Sequence, residues 1–251
     1  MELSKKWVRR FCPSDKAEIR LICFPHAGGS AAAFRAWPRL YAPEIEICAI
    51  QYPGRADRFN EPFVDDMGTA VSRIAEEVEL LNDAPCAFFG HSMGGAIAYE
   101  TACLLQARGS VLPEHIFISA RQPPMHHRQG IVHTLSDSQI AEELLRLSSS
   151  NKDLLSEPEL VALMMPIIRS DYRLIETYVP EEPAILPIPI TVLLGIEDDE
   201  VTVEQARDWG KCTDQEVSVF QFPGDHFYFI DQSLDVAKLV VSKLQPVGGG
   251  R

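Results

Sequence analysis

Phe88-Phe89-Gly90-His91-Ser92-Met93-Gly94-Gly95 is the stretch on which the reading of this chain turns. It leaves an apolar run, Cys86-Ala87-Phe88-Phe89, and enters a small-residue, helix-competent segment from Ala96 to Gln106. A serine that must stand clear of its own backbone needs a tight, strained turn. Gly90 and Gly94 remove the side chains that would collide with the strand and the helix on either side. Met93 offers a backbone N–H at the start of that helix, where the dipole favours developing negative charge. The stretch therefore reads as a nucleophile displayed between a strand and a helix, with half of an anion-stabilising site attached. A glycine-rich turn that binds phosphate has the same local signature, so the rest of the chain must supply the context.

The full length of 251 residues suits one large α/β domain, or one such domain with an insertion. Apolar residues make up 46% and charged residues 24%, the composition of a soluble globular protein. A net charge of −13 argues against sequence-independent nucleic-acid binding, which needs a cationic surface. Cys12, Cys23, Cys48, Cys86, Cys103 and Cys212 are scattered, with no Cys-x-x-Cys pair and no histidine spaced to complete a zinc site, so no metal is expected. Unpaired thiols in apolar runs suit a reducing compartment. The segment Met1-Glu2-Leu3-Ser4-Lys5-Lys6-Trp7 lacks the apolar core of a signal peptide, and no apolar run is long enough to span a bilayer. A cytoplasmic protein that does not engage membranes is expected.

Around the Ser92 stretch the chain alternates strands and helices. Ile19 to His26 is nearly continuous in apolar residues, as in a strand covered on both faces. It opens into Ala27-Gly28-Gly29-Ser30, with Ser30 placed to cap a helix from Ala31 to Leu40. Ile45 to Tyr52 reads as a second strand. Met67, Val71, Ile74, Val78 and Leu81 then step by three and four, predicting an amphipathic helix over Val64 to Leu81. After the Ser92 turn, Gly109 stops the helix, and His115 to Ala120 supplies a fourth strand. This rhythm predicts an α/β fold with a mostly parallel sheet, helices on both faces, and ligands at the carboxyl ends of the strands.

Between Arg121 and Pro189 about seventy residues pass without a strand, too many for a simple crossover. Capping boxes at Ser136/Gln139 and Ser156/Glu159 mark helices there, and Pro166 is expected to kink or end the second. The section, about 121–189, reads as a helical lid inserted before the fifth strand. Leu160, Leu163, Met164, Met165, Ile167 and Ile168 either line an apolar cavity or pack the lid onto the body. Ile190 to Gly195 and Val217 to Phe222 are the fifth and sixth strands. Leu234, Ala237, Val241 and Leu244 give a final helix one face, and residues 246–251 read as a flexible tail. No linker divides the chain, which is expected to be a single domain over 1–251.

Gly-x-Ser-x-Gly between a strand and a helix resembles the nucleophile elbow of α/β-hydrolases. The resemblance implies that fold, with a second oxyanion N–H from the glycine-rich loop after an early strand, here that of Ala27, beside the N–H of Met93. It also implies the chain order serine, acid, histidine. After Ser92 the histidines are His115, His126, His127, His133 and His226. His226, in Phe222-Pro223-Gly224-Asp225-His226, follows a strand; the others fall in the lid or open a strand, so His226 is chosen as the base. Gly195-Ile196-Glu197-Asp198-Asp199-Glu200-Val201 offers four carboxylates after the fifth strand. Asp198 fits the Gly-x-x-Asp-x-x-Val spacing of many α/β-hydrolases, with Asp199 as the alternative. His91, next to Ser92 on a tight turn, is assigned to packing or loop support.

With these residues in place the chain resembles, over nearly its whole length, the type II thioesterases that accompany polyketide synthases and nonribosomal peptide synthetases. The carriers are Phe24-Pro25-His26-Ala27-Gly28-Gly29-Ser30, Gln51-Tyr52-Pro53-Gly54-Arg55 with Arg58, Gly90-His91-Ser92-Met93-Gly94-Gly95, Asp171-Tyr172, and Gly224-Asp225-His226-Phe227. The resemblance implies a serine thioesterase that clears aberrant or stalled acyl groups from the phosphopantetheine arm of an acyl or peptidyl carrier protein through an acyl-enzyme. Ser92 would attack, Asp198 orient His226, and the N–H groups of Ala27 and Met93 hold the oxyanion. No cofactor is implied beyond the phosphopantetheine that the partner carries, and the enzyme is expected to be a monomer. An esterase acting on free esters and an acyltransferase of the malonyl-transacylase kind remain as alternatives. Arg55, Arg58, Arg121 and Arg128 are candidates for a local basic patch at the mouth of the site.

Overall fold

The nearly continuous apolar runs become the interior strands of one sheet. Strands β2 (Ile19–Phe24), β4 (Cys86–His91), β5 (Ile116–Ser119) and β6 (Ile190–Gly195) are buried at every position. Both faces are covered, which is why these strands show no apolar/polar alternation. With β3 (Ile45–Ile50) and β7 (Val217–Phe222) they run parallel in a computed structural model that describes residues 6–81 and 83–244. The order across the sheet is β1-β3-β2-β4-β5-β6-β7. The tail expected at 246–251 lies outside the described residues.

One strand escaped the sequence reading. β1 (Val8–Arg10) pairs antiparallel with β3, Val8 opposite Ile50. Three residues are too few to display a period, so only the pairing reveals it.

Alternate side chains of the strands feed two cores. Ile22 and Phe24 join a core with helices α1 (Met67–Glu79) and α2 (Met93–Arg108), whereas Leu21 and Cys23 join one formed with Phe34, Trp37 and the C-terminal helices. Asp66 caps α1 by accepting the Thr69 N–H, and Gly109 ends α2 with a left-handed φ of 66°. The helix expected over Ala31 to Leu40 is instead two short 3₁₀ turns, Ala31–Phe34 and Trp37–Arg39. Pro38 has no N–H to continue a helix, and burying both Phe34 and Trp37 fixes the break. Ser30 does cap the first turn through the Ala32 N–H.

The lid lies between β5 and β6 and contains α3 (Asp137–Leu147), α4 (Asn151–Leu155) and α5 (Pro158–Glu176). The Ser136/Gln139 capping box forms. The second expected box does not: α5 starts at Pro158, and the Ser156 hydroxyl donates back to the Asp153 carbonyl at 2.7 Å. Pro166 neither ends nor divides α5, which continues to Glu176. Ile140 and Leu144 meet Met165 and Ile168 in a small core of the lid's own, while Leu160 and Leu163 stay exposed.

Past β6 the chain forms α6 (Val203–Arg207), β7, a single turn α7 (Tyr228–Asp231), and α8 (Ser233–Leu244). α8 buries Val236, Ala237 and Val240 and leaves the expected Leu234 exposed, so its buried face is rotated from the one read in the sequence. All six cysteines are free thiols. Among the described residues, no helix is long and apolar enough to cross a membrane.

Candidate active site

β4 ends at His91 and α2 begins at Met93, so Ser92 alone makes the turn. Its φ of 53° and ψ of −118° hold a non-glycine residue in a strained region, as expected of a side chain forced out of the backbone path. Its hydroxyl does not cap α2. The flanking glycines are obligatory: a Cβ on Gly90 would stand 2.3 Å from the Gly94 carbonyl oxygen, and one on Gly94 would stand 2.0 Å from that of Phe24.

His226 lies in the loop after β7 and Asp198 in the turn after β6. His226 Nδ1 is 2.9 Å from Asp198 Oδ2, with the side chains only 5% and 1% exposed. The other oxygen of Asp198 accepts the Glu200 N–H at 3.0 Å. The two loops touch backbone to backbone, because a Cβ on Gly195 would meet the Asp225 carbonyl oxygen at 2.3 Å. Asp199, the alternative acid, points outward at 72% exposure and pairs with Arg146 of α3 at 2.6 Å. The carboxylate on His226 is therefore that of Asp198.

Ser92 and His226 share the wall of one cavity of about 490 Å³, with Ala27 and Met93 on the same wall. Among the described residues, Ser92 Oγ is not hydrogen-bonded to the imidazole; such bonds tighten when substrate binds. The N–H groups of Ala27 and Met93 also have no partner among the described residues. The arrangement offers a strained hydroxyl, a carboxylate-oriented imidazole and two free backbone donors, which is the set that acyl transfer requires.

Two further histidines surround His226. His91 lies with its ring 5.1 Å from that of His226 and 5.8 Å from that of His26. Burial lowers His26 to about 3 and pushes His91 well below its ordinary value, so both stay neutral. His91 Nδ1 meets Ser119 Oγ at 2.8 Å, which in turn meets the Tyr228 hydroxyl at 2.6 Å. These bonds tie the end of β4 to β5 and α7, in keeping with the supporting part assigned to His91.

Of the two roles read for the lid's apolar residues, cavity lining is not the one they take. None of Leu160, Leu163, Met164, Met165, Ile167 and Ile168 lines the cavity. Its lid side is built from Glu143, Leu144 and Leu147 of α3 and from Tyr172, Ile175 and Glu176 of α5, a mixed polar and apolar wall. Helical spacing places Leu144 and Leu147 on one face of α3, but nothing in the sequence aims that face at Ser92. Arg146 bridges Glu143, Asp199 and Glu200, fastening α3 to the turn that carries Asp198.

The proposed basic patch also changes. Arg55 and Arg58 are 4% and 6% exposed and face inward. Arg55 pairs with Asp171, while Arg58 pairs with Glu61 at 2.7 Å and packs over the Trp7 ring. Both are tied up because an unpaired buried guanidinium would be costly. Arg121 and Arg128 remain in the cavity wall. Arg121 donates to His127 Nδ1 at 2.8 Å, and burial lowers its guanidinium to about 10.

Residues 19–244 match the thioesterase domain family. The chain is 36% identical over 227 residues to the thioesterase PikA5 of Streptomyces venezuelae, spanning 90% of this chain and 81% of that protein. It is 33% identical over 243 residues to the gramicidin S biosynthesis protein GrsT of Aneurinibacillus migulanus, spanning 96% and 95%. The structure of the type II thioesterase BorB from the borrelidin biosynthetic cluster superposes with a TM-score of 0.88 at 35% identity, covering 95% of this chain and 98% of that one.

Proposed function

The chain belongs to the thioesterase family and is a type II thioesterase of the polyketide and nonribosomal peptide kind, with the α/β-hydrolase fold; from this we infer that it hydrolyses acyl thioesters borne on the phosphopantetheine arm of a carrier protein. Ser92 is the nucleophile, His226 the base and Asp198 the acid that keeps the His226 Nδ1 proton in place. His226 Nε2 takes the Ser92 proton as Oγ adds to the thioester carbonyl. The N–H groups of Ala27 and Met93 hold the oxyanion, each such donor contributing about 3 kcal/mol. The arm's thiol departs with the proton from His226, leaving an acyl-serine. Water then attacks that ester, giving its proton to His226, and Ser92 is restored as the free acid leaves.

The observation that carries this reading is the buried Asp198–His226 pair opening on the cavity that Ser92 enters from its strained turn. Ser92→Ala should lower acid release from an acyl-carrier thioester by more than about a thousandfold with an unchanged melting temperature. Retained hydrolysis would remove the reading. The carrier as partner is tested by comparing kcat/KM for one acyl group on a carrier protein and on a small thiol. A ratio near one would favour an esterase acting on free esters. We further propose a cytoplasmic monomer that uses no cofactor of its own; the free thiols and the absence of a membrane-crossing helix among the described residues fit that placement.

A further inference from the structure

The turn that presents the Ala27 N–H is held from outside by a buried ion pair. Asp171, on α5 of the lid, accepts the Gly28 N–H at 2.7 Å. Its other oxygen lies 2.7 Å from Nη2 of Arg55, whose Nη1 donates to the Gly29 carbonyl at 3.0 Å. A third strut is steric. Gly28, at a left-handed φ of 79°, packs so closely under α5 that a Cβ there would stand 2.9 Å from Ile168 Cγ1. Asp171 is 2% exposed and Arg55 4%. Bonds this well shielded from water are strong and hold one geometry.

The Gly28 nitrogen belongs to the peptide directly after Ala27, so the carboxylate that fixes it also fixes Ala27, which lines the cavity and whose N–H has no partner among the described residues. Oxyanion donors act only when preorganised, and a displacement of about 1 Å can cost a hundredfold in rate. We propose that Asp171 and Arg55 are positioning residues for the Ala27 donor, so that the lid must be docked through Asp171 before the oxyanion site is complete. This rests on the reading of Ala27 and Ser92 given above. It explains why a lid residue and a residue after β3, 116 positions apart, converge on a glycine turn that neither adjoins.

Charge and position make opposite predictions for Asp171→Asn. Removing a carboxylate near a developing oxyanion, and freeing the Arg55 cation, would by itself raise the rate. Loosening the turn would lower it. If position governs, kcat should fall about 10- to 100-fold with KM within about threefold. Binding of an alkyl boronic acid, which mimics the tetrahedral adduct on serine, should weaken by the same factor. Binding of a non-hydrolysable thioether analogue of the substrate should not move. A merely structural role would shift both ligands or neither.

Should Asp171→Asn melt below the assay temperature, the paired Arg55→Gln/Asp171→Asn variant carries the test. It leaves no unpaired charge, and its shorter amide cannot reach the Gly29 carbonyl. An unchanged or higher kcat in a folded variant, or equal weakening of both ligands, would overturn the proposal. If Ser92→Ala is inactive while the Asp171 variants are fully active, the thioesterase reading stands and this inference alone falls. An active Ser92→Ala enzyme removes both.

Discussion

Asp198→Asn is the sharpest probe of the site, because the sequence offered two adjacent candidates and the structure separates them. In the native site the Asp198 carboxylate receives the His226 Nδ1 proton at 2.9 Å and is itself held by the Glu200 N–H. The Glu200 N–H keeps an acceptor oxygen on its side of an asparagine, which turns the amide NH₂ toward the imidazole. Nδ1 must then accept, the ring carries its proton on Nε2, and no lone pair is left to take the Ser92 proton. Loss of the correct tautomer in a serine–histidine–aspartate triad costs about 10⁴ in kcat, or about 5 kcal/mol of transition-state stabilisation. Asp199→Asn should change kcat less than about threefold, since that side chain is 72% exposed and makes a solvent-screened pair with Arg146. The assay is thiol release from an acyl-carrier thioester at saturating substrate, with circular dichroism confirming that both variants fold. Inactivation by Asp199→Asn with Asp198→Asn near native would refute the assignment. If Asp198→Asn alone kept full activity, the site would use no aspartate-oriented histidine, as the acyltransferase alternative requires.

Two stability measurements follow from the same geometry. Gly94→Ala places a methyl group 2.0 Å from the Phe24 carbonyl oxygen, and should cost about 3 kcal/mol or more by urea titration because backbone, not a side chain, has to move. Gly109→Ala, with no atom within 4 Å and only its φ of 66° to strain, should cost about 1 kcal/mol; equal costs would contradict the close-approach argument. Acid should destabilise the fold early. His26 stays neutral in the folded state down to about 3 against an ordinary value of 6.5, and His91 is lowered as well. The unfolded chain therefore binds protons below pH 6.5 that the folded chain refuses. Stability is fully present above 6.5 and falls on acidification, for His26 through the window toward about 3 with a slope approaching about 1.4 kcal/mol per pH unit, and the lowered His91 acts in the same direction. A urea midpoint that did not move between about pH 7 and pH 5 would contradict it.

What the sequence determined by itself was local. The apolar runs of β2, β4 and β6, the three-and-four spacing of α1, the Ser136 capping box and the glycines around Ser92 each signal through neighbours within a few residues, and these formed as read. The order of serine, acid and histidine was legible because each sits at a strand end, and parallel strands bring such ends together. The tertiary structure decided everything that depends on which distant group lies opposite. It set Asp198 against His226 and turned Asp199 toward Arg146. It drew Arg55 inward to Asp171, and it gave the cavity a wall from α3 and the end of α5 rather than from Leu160 and Leu163. A carboxylate or a guanidinium carries no mark of its partner in its own neighbourhood. Burial leaves such a group no choice but to be paired, and only the sheet order and the docking of the lid determine with whom.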